Sequence, residues 1–194
     1  MGKIFYIMGK SSSGKDTVFK EIKKLFPSLK MIVLYTTRPV REGEENGREY
    51  YFTDEKQLHQ LKEQGKVIEC RTYETIHGPW SYFTVDDGQI DLEKENYLVI
   101  GTLESYEKMR TYFTEEKVIP IYIEVEDGER LQRALTREKE QKQPKYAELC
   151  RRFLADTEDF KEENLTRLGI NQRFSNSDLP RCIQEITLYI TKRL

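Results

Sequence analysis

The 194-residue sequence predicts an α/β fold in which a parallel sheet is covered by helices on both faces. Apolar, β-favouring runs alternate with helical patterns along the chain. The first run, Ile4-Phe5-Tyr6-Ile7-Met8, is continuously apolar rather than alternating, as a strand buried on both faces requires. No repeat or low-complexity linker interrupts the chain, and its length suits one domain whose core carries smaller inserted lobes.

Ile4–Met8 is the first predicted strand, and Val18, Phe19, Ile22, Leu25 and Phe26 recur at helical spacing on one face behind it. Further strands are expected at Met31–Tyr35, Tyr97–Ile100 and Val118–Ile123, with a weak one at Arg173–Ser175. Two regions break the alternation. Residues 36–87 are rich in aromatics and charges, with short strands expected at Tyr50–Phe52 and Val67–Thr72 around a helix over Glu55–Gln64. Residues Glu138 to Lys145 form a polar stretch containing Pro144 between two charged helices. The expected division is a core of residues 1–35, 88–125 and 164–194, one inserted lobe at 36–87 and a second at 126–163.

A formal net charge of −2, with 34% charged residues of mixed sign, excludes nucleic-acid binding by bulk charge and reads as a solvated surface. Cys70, Cys150 and Cys182 are widely spaced without CxxC pairing, and His59 and His77 are the only histidines, so neither a zinc site nor a disulfide framework is expected. The first apolar run is too short and wrongly flanked for a secretory signal. No stretch approaches a membrane span, and Tyr6 stands where a myristoylated Met-Gly start needs Ser or Thr. A cytoplasmic protein without a membrane partner is the expectation; the oligomeric state is not legible.

The segment Gly9-Lys10-Ser11-Ser12-Ser13-Gly14-Lys15 lies between the first strand and the first helix. Gly-x-x-x-x-Gly-Lys in that setting lets backbone N–H groups converge on phosphate oxygens, with a helix N-terminus behind them and a lysine as a mobile point charge. An ATP or GTP polyphosphate is the expected guest of Gly9 to Thr17. Asp16 occupies the place where a Ser or Thr hydroxyl normally meets magnesium, with Thr17 one position late. A carboxylate is a good Mg²⁺ ligand but adds negative charge beside phosphate, so Asp16 binds the ion directly, through water, or leaves it to another group. Insertions such as the two lobes are natural lids, since closure excludes water from a phosphoryl group in transit.

Arg38 and Arg41 follow the second predicted strand, where the carboxyl ends of parallel strands open toward ligands. Two guanidiniums can clamp a monophosphate, and Tyr50 can add a hydrogen bond. Taken by themselves, these letters leave a surface turn with solvated arginines equally open.

Three motifs together resemble the guanylate kinase family over most of the chain: the loop Gly9–Lys15; the long segment Thr36 through Phe52, with Thr-Thr-Arg-x-x-Arg-x-Gly-Glu-x-x-Gly-x-x-Tyr-x-Phe spacing; and Asn176-Ser177-Asp178-Leu179. The resemblance implies a P-loop NTPase fold, three-layered α/β/α, with an acceptor-binding lobe at 36–87 and a lid at 126–163. It implies ATP as phosphoryl donor with Mg²⁺, Asn176 beside the nucleotide, and Arg38, Arg41 and Tyr50 on the phosphate of a nucleoside monophosphate. Glu69 would then read the base, since a carboxylate accepts from both the N1–H and the exocyclic amine of guanine. Arg133 and Arg137, four residues apart on one helix face, and Arg152 would reach the transferring group, with Lys15, Arg137 and Arg152 as the catalytic cations.

The chain departs from the family pattern in places. Ser12 replaces a loop glycine, which matters if that position needs a positive φ. Val99-Ile100-Gly101-Thr102 lacks the family's Asp-Ile-Asp, and Ile76-His77-Gly78-Pro79-Trp80-Ser81-Tyr82-Phe83 replaces Tyr-Tyr-Gly-Thr or Ser, leaving Tyr82 as the substitute acceptor contact. The expected activity is ATP-dependent conversion of GMP to GDP. Two alternatives stand beside it: a kinase of ribose 1,5-bisphosphate, whose relatives share the Gly-Lys-Asp loop, and a non-catalytic peptide-binding module of guanylate kinase type, against which Gly14-Lys15 argues.

Overall fold

The computed structural model describes residues 2–75 and 78–194. Its centre is β1 (Ile4–Met8), buried along its whole length and paired in parallel with β7 (Tyr97–Gly101) on one side and β8 (Val118–Glu124) on the other. Adding β2 (Lys30–Met31) outside β7 and β9 (Arg173–Ser175) outside β8 gives a parallel sheet of order β2-β7-β1-β8-β9.

The period-2 geometry of β1 divides the core into two layers. Ile4, Tyr6 and Met8 face a cluster with Tyr97, Val99 and Tyr122, completed by Leu103, Tyr106 and Met109 of α3 (Leu103–Phe113) and Leu165 of α6 (Glu162–Arg167). Phe5 and Ile7 face the opposite cluster with Leu98, Ile121 and Ile123, Val18 and Ile22 of α1 (Lys15–Leu25), and Cys182, Ile186 and Ile190 of α7 (Leu179–Thr191). Each such buried aliphatic side chain contributes about 1.5–3 kcal/mol of transfer free energy. The three-layer α/β/α architecture is the one expected from the sequence.

The helices start where polar caps allow. Asp178 accepts from Arg181 N at the start of α7, and Thr102 and Ser105 form a reciprocal capping box on α3. α4 (Asp127–Lys139) and α5 (Tyr146–Asp159) pack on one another on either side of the polar 140–145 segment, the second interruption seen in the sequence.

The first interruption folds as its own sheet, β4 (Tyr51–Phe52), β3 (Tyr35–Thr36), β6 (Gly78–Val85) and β5 (Val67–Thr75) in that order, with α2 (Glu55–Glu63) on one face. Phe83, Val85, Cys70 and Val67 pack there against Leu58 and Leu61. A bulge between Val67 and Glu69 inserts Ile68, so Val67 and Cys70 both reach that apolar side. The other face carries Glu69, Arg71 and Tyr73 opposite Thr84, Tyr82 and Trp80.

Two expectations are corrected. The predicted strand Met31–Tyr35 is two strands in two sheets, with 32–34 in neither. The amide of Gln89 takes the place of a neighbouring strand there, accepting from Val33 N (2.8 Å) and donating to Val33 O (3.2 Å), while Leu34 O accepts from Tyr51 N and hands the chain to the lobe. The strand β6 is not among the expected elements, since residues 76–83 are matched in the sequence only to the family's acceptor-contact motif, with Tyr82 as its substitute. Ile76 and His77 of that segment lie outside the described residues.

Gln89→Ala removes both partners of a half-buried peptide unit. It should lower unfolding stability by about 1–2 kcal/mol in urea titration, with an unchanged m-value.

Candidate active site

The loop Gly9–Lys15 leaves the carboxyl end of β1 and enters α1. Close packing and backbone geometry set its residue types. A Cβ on Gly9 would lie 2.6 Å from Ile123 O, and Gly14 sits at φ +82°. Ser12 also takes a left-handed φ of +64°, at a strain cost on the order of 1 kcal/mol.

Gly14 is the N-cap of α1 and supplies no side chain, so among the described residues the first turn has no side-chain cap. The Ser13 hydroxyl, buried beside them, has no hydrogen-bond partner among the described residues. The loop is instead held through its carbonyls. Asn176 Nδ2 donates to Ser13 O at 2.7 Å, Arg130 Nη1 to Ser11 O at 3.1 Å, and Ser13 N to Lys10 O at 3.1 Å. Ser11 N donates to the Asp156 carboxylate at 2.7 Å, so one loop N–H already holds an oxyanion.

A cleft of about 430 Å³ opens over the loop between α4 and α5. Ser11, Ser12, Lys15 and Asp16 form its floor, and Arg130, Arg137 and Arg152 are among the residues of its walls. Lys15 Nζ lies 3.6 Å from Asp16 Oδ2, its only ion pair among the described residues. Arg137 donates to Ser12 Oγ at 3.2 Å, and Arg152, 61% exposed, donates to Glu148 at 2.7 Å. The Glu148 carboxylate is held down to about 2 by hydrogen bonds from Arg151 and then Arg152. Arg133 points elsewhere: it pairs with Glu129 and donates to Asn176 O at 2.8 Å. Thr17, expected near the nucleotide, is exposed on α1 and does not line this cleft.

Arg130 was missed by the sequence reading. It is the buried residue of α4, its guanidinium shared between Asp127 (2.9 Å), Asp156 (3.4 Å) and Ser11 O, and lying 4.3 Å over the Phe153 ring. Asp127 remains below the ordinary carboxylate range although burial opposes this, because Arg130 and Lys10 both bond to it. The available signal was spacing: Arg130, Arg133 and Arg137 lie at i, i+3 and i+7 on one helix face.

The second cluster sits on the lobe. Arg38, 3% exposed, makes a fork to Glu44, with Nη2 to Oε1 at 2.6 Å and Nη1 to Oε2 at 2.7 Å, and lies 5.1 Å over the Tyr50 ring. Tyr82 packs edge-on to Tyr50 at 5.7 Å, and the Glu44 hydrogen bonds, against the opposing effect of burial, favour charge on Arg38. Burial pushes the Tyr50 phenol above its ordinary range. Arg41 is exposed, with no ion pair of its guanidinium among the described residues. Glu69 is buried. Its carboxylate takes the Thr84 hydroxyl at 2.8 Å and Arg71 Nε at 3.0 Å, a pairing the sequence reading did not foresee.

Among the described residues no group of three or more His, Cys, Asp or Glu gathers to hold a metal. Magnesium needs less when a polyphosphate supplies oxygens: one or two carboxylates suffice. Asp16, 78% exposed at the cleft floor beside Lys15, fits that donor set. No helix among the described residues is long and apolar enough to cross a membrane.

A profile of the guanylate kinase family matches residues 1–162. The chain belongs to the guanylate kinase family. It is 36% identical over 77 residues to the guanylate kinase of Geobacter metallireducens, covering 40% of this chain and 36% of that one. It is 31% identical over 126 residues to that of Wolbachia sp. subsp. Brugia malayi, covering 63% and 61%. The matched stretches therefore span about a third to three fifths of these relatives' length. The fold is similar to the crystal structure of guanylate kinase from Anaplasma phagocytophilum, with TM-score 0.64 and 17% identity over 98% of this chain and 85% of that one.

Asn176→Ala leaves the buried Ser13 carbonyl without its donor. It should lower stability by about 1–3 kcal/mol and raise the apparent Kd for ATP, read by urea titration and calorimetry.

The Arg38 hydrogen bonds hold Glu44 down to about 2, against an ordinary 4.5. A depressed carboxylate contributes stability that is fully present above the unfolded value and lost as pH falls through the folded one. Glu44→Gln should therefore flatten the fall in melting temperature between pH 4.5 and 2 relative to the wild-type chain.

Proposed function

We propose that the protein is a magnesium-dependent nucleoside monophosphate kinase that transfers the γ-phosphoryl group of ATP to GMP, giving ADP and GDP. The observation that carries this reading is the uncapped N-terminus of α1 behind Gly9–Lys15, which opens into an arginine-walled cleft, while a second arginine and tyrosine cluster sits on a separate lobe. Two anion sites on two bodies are what joining a polyphosphate to a monophosphate requires. Family membership supports the same reaction.

In this reading the donor's phosphates lie on the loop N–H groups, the Ser13 hydroxyl and Lys15, with Asn176 keeping the loop in shape. Asp16 would hold Mg²⁺, which when bound neutralises charge on the phosphate oxygens. Arg38, Arg41, Tyr50 and Tyr82 receive the acceptor phosphate. An oxygen of that phosphate attacks the γ-phosphorus in line, and the bond to the β,γ-bridging oxygen breaks, leaving its charge on the β-phosphate. Lys15, Arg137 and Arg152 stabilise the spreading negative charge, so no protein nucleophile is needed. Because Arg38 is already paired with Glu44 and Arg152 with Glu148, the incoming phosphates exchange one anion for another. The three cysteines are free, which suits a reducing cytoplasm.

A panel of GMP, dGMP, AMP, CMP, UMP and ribose 1,5-bisphosphate with ATP and Mg²⁺, read by product identification, tests this reading. GMP-dependent ADP formation is expected. Transfer only to the sugar bisphosphate would replace the acceptor, and an absence of ATP binding would favour the peptide-binding alternative. Lys15→Ala should lower kcat at least about a hundredfold with an unchanged melting temperature.

A further inference from the structure

The polar face of the lobe sheet carries a buried guanidinium that neither the loop nor the lid uses. Arg71 on β5 stands directly across from Tyr82 on β6, and Glu69 across from Thr84. Tyr82 in turn pairs with Thr36 of β3, two residues before Arg38. Arg38, Tyr82, Arg71 and Glu69 therefore form a row across three strands, with the proposed phosphate site at one end and Glu69 at the other. The row faces the core, since Arg71 Nη1 donates to Thr102 Oγ1 at 3.3 Å, just beyond the carboxyl end of β7.

Within the row, Glu69 has little left to offer a ligand. Its side chain is 1% exposed, Oε1 accepts from Thr84 Oγ1 and from Arg71 Nη2 at 3.5 Å, and Oε2 accepts from Arg71 Nε at 3.0 Å. Arg71, 10% exposed, has five N–H groups, of which two go to Glu69 and one to Thr102. One N–H on each terminal nitrogen has no partner among the described residues. These make a planar two-pronged donor, and among the bases guanine offers two adjacent acceptors, O6 and N7, where adenine offers one acceptor beside a donor.

We propose that Arg71 is the base-reading residue of the acceptor site, donating to O6 and N7 of a guanine, with Glu69 as the positioning residue that fixes its plane. The assignment rests on the GMP kinase reading and narrows it: recognition comes from the 6-oxo and N7 edge rather than from the N1 and 2-amino edge that a bare Glu69 carboxylate would take. Thr84 and Thr102 secure the pair from opposite sides.

Two measurements test it in the full chain with saturating ATP and Mg²⁺. The first compares GMP with 7-deaza-GMP on the unaltered protein, where no variant can misfold; replacing N7 by carbon should raise the acceptor KM roughly tenfold or more. The second is Arg71→Lys, which keeps the charge beside Glu69 but loses the planar fork. It should reduce the GMP over AMP preference in kcat/KM roughly tenfold or more, with the KM for ATP unchanged. A purely structural ion pair would move neither ratio. Equal use of GMP and 7-deaza-GMP, or a wild-type base preference in Arg71→Lys, overturns the assignment and leaves the kinase reading standing. No transfer to any nucleoside monophosphate overturns that reading, and the assignment with it.

Discussion

A loop proposed to bind phosphate must be held rigid while most of its N–H groups stay open to the ligand, and much of this molecule fits that constraint. The loop is held mainly by its carbonyls, although Ser11 N is engaged by Asp156 and Ser13 N by Lys10 O. Asn176, from the far end of the chain, takes Ser13 O, and Arg130, from α4, takes Ser11 O. Neither side chain can be placed without the parallel sheet. β1 brings the loop to the sheet's carboxyl edge, while β8 and β9 deliver α4 and Asn176 to the same edge. The buried aliphatic faces of β1 therefore bear on function through position alone.

Holding the loop in this way concentrates cations, and a chain of net charge −2 balances them locally. Arg38 is matched by Glu44, Arg130 by Asp127 and Asp156, Arg133 by Glu129, and Arg152 by Glu148. The pairs differ in what they demand. Arg38 and Arg130 are buried, so removing a partner leaves an uncompensated charge in a poorly solvated place, and only another well-placed anion can substitute. Arg152 is open to water and exchanges partners at little cost. The buried pairs keep guanidiniums oriented, and the exposed ones leave them free to swing.

What was legible in the sequence was whatever depended on residues near one another in the chain. β1, the loop and the apolar face of α1 were read from about twenty consecutive residues, and the extended, aromatic character of 50–52 and 67–72 was likewise local. The strand at 31–35 failed because its fate depends on Gln89, more than fifty residues on, whose amide imitates a strand and ends the core pairing early. β6 is missing from the expected elements because its ladder is held by β5 through backbone bonds indifferent to side chains, while Tyr82, expected as an acceptor contact, packs against Tyr50 and Tyr73.

The site residues divide in the same way. The positions of Lys15 and Asp16 on the cleft floor follow from the motif, which fixes their place to within a residue, whereas the Arg71 pairing does not, because nothing in Glu69-Cys70-Arg71 says which partner the carboxylate prefers. Period-2 spacing puts the two on one face of a strand, but only the bulge at Ile68, which turns that face toward Thr102 and away from α2, makes the pair a buried one. In water two such residues would contribute a few tenths of a kcal/mol. Between the lobe and the core, where Thr84 and Thr102 complete the hydrogen bonds, the same two charges hold each other in a fixed plane. That fixed plane lets a guanidinium discriminate between ligands as well as attract them.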